Sequence, residues 1–120
     1  MTSYFDISSS DTGLTLHMDI GGLSIMSQIL LRAKFPPDYI YTTNELLNPH
    51  LNGLIEAVLE RWKQLSPRQH ESAVFPQSGP FAQAAMKAVD DYIARGDAVP
   101  EDREKLLRLA FKPHRVEGFE

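Results

Sequence analysis

A helix-dominated α+β fold of four to five helices with a small N-terminal β hairpin is predicted for this sequence. Three observations predict it. Residues 14–20, "LTLHMDI", alternate apolar and polar. Most of the chain after residue 22 has helical spacing, and proline and glycine fall where helices should begin and end.

In the β element, "YFDI" at 4–7 and "LTLHMDI" at 14–20 read as two strands, joined by the loop-like "SSSDTG" at 8–13. Leu14, Leu16, Met18 and Ile20 fall on one face, and Thr15, His17 and Asp19 on the other. Two strands alone are only marginally stable in water, so a third strand or a covering helix is expected.

Gly21-Gly22 then raises a phosphate-loop question. A P-loop needs a longer glycine run closed by Lys and Ser or Thr, and a dinucleotide fingerprint needs three spaced glycines. Neither is present, and no lysine precedes Lys34. The pair is expected to turn the chain, with glycine supplying any positive φ. Ser24 is expected to cap or begin the next helix.

That helix spans 23–34. Leu23, Met26, Ile29, Leu30 and Ala33 form one face, and Ile25 and Leu31 widen it. Such breadth predicts a buried, central helix. Pro36-Pro37 ends it. "DYIYTT" at 38–43 has strand composition, and Thr42 with Glu45 fits a capping box for a brief helical turn.

Asn48 as N-cap and Pro49 at the first position open a helix to about Leu65. Leu51, Leu54, Ile55, Val58, Leu59, Trp62 and Leu65 recur on its inner face, and Trp62 is expected to be largely buried. "SPRQ" at 66–69 signals a further short helix. Gly79-Pro80 opens a helix to Arg95, with Phe81, Ala85, Val89, Tyr92 and Ile93 inward and Gly96 as its C′ residue. Pro100 opens the last helix, whose acids lie early and bases late, matching the helix dipole. A tail from 113 to 120 is expected to dock through Val116 and Phe119. One domain over 1–120 is expected: a β element at about 4–20, a helical part at about 22–112, then the tail.

Composition narrows the function. The chain has 120 residues, 16 acids against 12 bases, net charge −4 and no cysteine. The absence of cysteine removes disulfides, thiol nucleophiles and thiolate-ligated zinc. No basic cluster exists to neutralise phosphates, so no nucleic-acid partner is expected. The N-terminus lacks the charge and apolar run of a secretory signal, and no segment approaches the roughly 20 apolar residues of a membrane span. A cytoplasmic location without membrane association is expected.

No catalytic motif is present, and the expectation is of no enzyme, cofactor or metal. His17, His50, His70 and His114 lack the i, i+4 spacing of a helical zinc site. No G-x-S-x-G elbow occurs. Asp90 and Asp91 are helical neighbours whose side chains point about 100° apart. "ARGD" at 94–97 is better explained by a C-cap glycine than by adhesion.

The one charge asymmetry lies between residues 90 and 104. Asp90, Asp91, Asp97, Glu101 and Asp102 are the candidate partner-binding residues, since clustered carboxylates speed encounter with a basic protein. A small acidic domain of this kind fits an immunity-protein or antitoxin-like inhibitor that neutralises a toxin domain, such as a nuclease. One alternative is a small enzyme or ligand-binding protein with a site assembled from His17, Asp19, His70 and Glu71. Another is a homo-oligomer subunit that buries helix 23–34 between copies.

Overall fold

A computed structural model of the chain describes residues 5–66 and 73–120. The order is β1 (Phe5–Ser10), β2 (Gly13–Met18), α1 (Ile20–Lys34), α2 (Thr43–Leu46), α3 (Pro49–Leu65), β3 (Val74–Phe75), α4 (Pro80–Ala94), a 3₁₀ turn (Pro100–Asp102), α5 (Arg103–Phe111) and β4 (Arg115–Val116). The helix-dominated α+β class holds, with five helices among the described residues and an antiparallel N-terminal hairpin. Of the short helix expected at 66–69, all but Ser66 lies outside the described residues, as do His70 and Glu71.

The hairpin is longer than its apolar pattern indicates. Ser8, Ser9 and Ser10 continue β1 opposite Thr15, Leu14 and Gly13, so the connection is only Asp11-Thr12. Ser10 Oγ accepts the Thr12 N–H at 3.3 Å and pins this turn. No third strand joins the hairpin among the described residues. Ile7 and Leu14 are 66% and 67% exposed.

The glycine pair does not turn the chain. Gly21 and Gly22 lie in the first turn of α1, and neither has positive φ. Asp19 is the reason. Its carboxylate accepts the Gly22 N–H at 2.8 Å, so the helix is capped ahead of the glycines and Ser24 is interior.

Nor is α1 a central, buried helix. It packs on α3, where Leu23, Ile55 and Val58 are buried, but Ile20, Ile25 and Ile29 face solvent. Trp62 of α3 is mostly buried, as expected, whereas Leu54 and Leu65 are exposed, because α1 covers only part of the α3 apolar stripe. α3 itself spans the expected residues. Asn48 Oδ1 accepts the His50 and Leu51 N–H groups, and Pro49 occupies the first turn.

The main core cluster lies mostly in the C-terminal half. Leu46 of α2, Phe81, Ala82, Ala85 and Val89 of α4, Leu107, Ala110 and Phe111 of α5, and Val116 of β4 form one buried cluster. The alanines on α4 let its neighbours approach closely. Gly96 has φ 84°, and the Asp97 N–H reaches back to the Tyr92 carbonyl at 3.2 Å, so the C′ glycine closes α4 as expected. The tail docks: β4 pairs in parallel with β3, and the Phe119 ring packs on Phe111 at 5.4 Å.

Lys34, at the end of α1, ties the two halves together. It is fully buried, and Nζ donates to Asn52 Oδ1 of α3 (2.6 Å) and to the carbonyls of Leu109 (3.1 Å) and Lys112 (2.5 Å). An ammonium at the C-terminal end of α5 meets carbonyls that the helix itself leaves unbonded. Burial, with Lys112 nearby, lowers its pKa from 10.5 to about 8. The radius of gyration is 16.4 Å. A compact chain of this length has about 14 Å, and the difference fits a hairpin that stands off the helices.

Candidate functional site

The strand composition of residues 38–43 does not produce a strand. Tyr39 takes φ 59°, in the left-handed region, which breaks any extended run. The Tyr39 N–H bonds the Pro36 carbonyl at 3.1 Å, and Asp38 Oδ1 accepts the Ile40 N–H at 3.0 Å, so a tight turn holds this backbone. A bulky side chain there costs about 1 kcal/mol or more. The turn leaves Tyr39 49% and Ile40 70% exposed. Thr42 then stands at the N-cap of α2, though its side chain makes no capping bond.

α4 runs beside this ridge. Its inner face is in the core, and Ala84, Lys87, Ala88, Asp91 and Arg95 repeat along the other side at helical spacing. Between them and residues 39–44 lie two adjoining hollows. One, about 230 Å³, is lined by Tyr39, Ile40, Tyr41, Ala84, Lys87 and Asp91 among others. The other, about 310 Å³, is lined by Tyr41, Thr42, Asn44, Ala88, Asp91 and Arg95 among others. The Tyr41 ring lies 6.2 Å from Tyr39 and 5.6 Å from Phe35. Burial, with the nearby Tyr39 and Asp38, raises the Tyr41 pKa, so its hydroxyl stays a neutral donor near pH 7.

The five candidate acids are all exposed but do not act as one cluster. Asp91 is part of the groove and pairs with Lys87 at 2.8 Å. Asp97 pairs with Arg95 at 3.2 Å, and Asp90 takes a two-pronged bond from Arg103 of α5, at 2.7 and 3.3 Å. That bond raises the Arg103 pKa, against a smaller opposing loss of solvation. Glu101 lines a separate hollow along α5 with Lys105 and Arg108. Glu101 and Asp102 carry no ion pair among the described residues. Exposed pairs such as these contribute roughly 0–1 kcal/mol each, so a partner can replace them at little cost.

Of the alternative site, only His17 and Asp19 lie among the described residues. Asp19 is committed to capping α1, and His17 lies in β2 opposite Asp6. Among the described residues no three His, Cys, Asp or Glu side chains come together as a metal would require. No described helix is long and apolar enough to cross a membrane. His114 is instead enclosed by the rings of Phe35, Phe75 and Phe81 at 5.1–5.2 Å. Burial, then the charge of Lys34, lowers its pKa below 6.5.

None of Tyr39, Ile40, Tyr41, Lys87 and Arg95 stands out from the sequence as a site residue. A signal was present: an aromatic-rich run directly after a double proline. Comparison with protein-family models, curated proteins and solved structures gave no match.

Proposed function

We propose that this chain is a protein-binding module, acting in the cytoplasm as an immunity- or antitoxin-like inhibitor of a basic toxin domain. Tyr39 and Ile40 are its anchor, and the bank of Lys87, Asp91, Arg95 and Asp97 is the polar rim. One observation carries the reading. A tyrosine and an isoleucine are held in solvent by a backbone conformation that is unfavourable for tyrosine. Aromatic anchors ringed by charged residues are the usual composition of interface hot spots.

The acids fit the same reading. Asp91 can exchange Lys87 for a cation of the partner, and Glu101 and Asp102 are available to steer its approach. The test is binding to the product of the adjacent reading frame. Ile40→Asp should weaken the complex by about 30-fold or more, as hot-spot loss does. Asp91→Lys with Asp102→Lys should slow association and flatten its salt dependence. No complex with that product, or one indifferent to Ile40→Asp, contradicts the proposal.

A further inference from the structure

We propose that two copies of this chain pair, antiparallel, through the outer edge of β2 with Leu16 on the twofold axis. The inference is independent of the partner-binding reading and rests on a different surface.

The hairpin register carries it. A two-residue connection makes Ser10 and Gly13 a hydrogen-bonded pair, and bonded and non-bonded pairs then alternate. Thr15 and His17 therefore direct their backbone groups to β1. Leu14, Leu16 and Met18 aim theirs outward. Among the described residues no backbone or side-chain group bonds that edge. It has no lysine, proline or bulge, the devices that normally blunt an open edge.

Side-chain parity then limits the register. Antiparallel partners share a face, so a self-pairing that keeps apolar side chains together must centre on one residue. Centring on Leu16 places it against its own copy and sets each Leu14 against the other copy's Met18. Every outward N–H and C=O of Leu14, Leu16 and Met18 is then used, giving about six bonds. Centring on Thr15 leaves Met18 out.

Charge selects β2 over β1 as the edge. Two copies of net charge −4 repel, so contact favours a strip without carboxylates, and β2 has none. Pairing β1 with its copy about Ile7 would bring the two Asp6 side chains to a diagonal of roughly 7–8 Å. Pairing through β2 holds them three strand spacings apart, about 14 Å, beyond the screening length at physiological salt. The β1 alternative also gives one apolar pair, Ile7 with itself, where β2 gives three.

One strand edge is a small contact, so the dimer should be weak and should dissociate on dilution below about 10 µM. Sedimentation equilibrium over a concentration series should show the mass rising from 13.5 kDa towards twice that value. Leu16→Lys, which sets two ammonium groups face to face on the axis, should stay monomeric. Ile29→Glu, on the open face of α1, should dimerise like the native chain. Amide exchange adds a readout independent of folding in the variants. The amides of Leu14, Leu16 and Met18 should pass from open to protected as concentration rises, while those of Thr15 and His17 have β1 partners at every concentration. A monomer up to about 1 mM, a dimer that survives Leu16→Lys in a folded protein, loss of the dimer in Ile29→Glu, or concentration-independent exchange at Leu16 overturns the proposal.

Discussion

α1 and α4 are each 15 residues long, yet they occupy the protein differently. α1 is the more apolar helix and is partly in water, with Ile29 56% exposed. α4 has fewer large apolar residues and supplies Phe81, Ala82, Ala85 and Val89 to the core. The difference is one of arrangement. α4 concentrates its apolar groups in a stripe that one surface can cover, and its alanines permit close approach. α1 spreads isoleucine and leucine around its circumference, and α3 covers only one side. Apolar content therefore reports how much surface wants covering, and arrangement reports how much the chain itself covers.

Substitutions can break this contrast. Phe81→Ala removes the ring at the centre of the aromatic cluster and should cost about 3–5 kcal/mol in urea unfolding. Lys34→Met is the case where α1 should behave like a core helix. It strands Asn52 Oδ1 and two carbonyls and should cost about 2–3 kcal/mol at neutral pH. The same variant gives a signed pH effect. Unfolded Lys34 holds its proton to 10.5, whereas folded Lys34 releases it at about 8. Between those values the unfolded state binds more protons, so native stability should rise with pH relative to Lys34→Met.

His114 gives the same sign in a lower pH window. Its folded pKa is lowered, so the unfolded chain takes up the proton first as pH falls below 6.5. Stability should decline there, and His114→Phe should flatten the decline. Tyr39→Gly relieves the left-handed backbone and should stabilise the free protein by up to about 1 kcal/mol while weakening partner binding. Ile29→Ser, on the open face of α1, should change stability by less than about 0.5 kcal/mol.

Local chemistry was the legible part of the fold. Asn48-Pro49, Gly79-Pro80 and Gly96 each impose a backbone state through their own atoms, and all three mark helix ends as expected. Tertiary decisions were not legible. Asp19 captured the Gly22 N–H and drew two glycines into a helix, a choice between competing bonds that spacing alone does not settle. Ser8, Ser9 and Ser10 became strand because β2 offered partners. Of the candidate site, the exposure of the five acids was readable. That Asp90, Asp91 and Asp97 enter ion pairs, Glu101 lines a separate hollow and Asp102 does neither depended on where Arg103, Lys87 and Arg95 reach. Tyr39 was hidden because its residue type favours a strand and its conformation forbids one.

A packed C-terminal half and an N-terminal half with open apolar surface should differ most in how their backbones open. Native-state amide exchange, at a protein concentration low enough to be monomeric, tests that division most directly. The amides of α4, α5 and Val116 should open only with global unfolding. Those of β1, β2 and the outer face of α1 should exchange through local opening of much lower free energy. Hairpin amides as slow as those of α4 under these conditions would contradict the division.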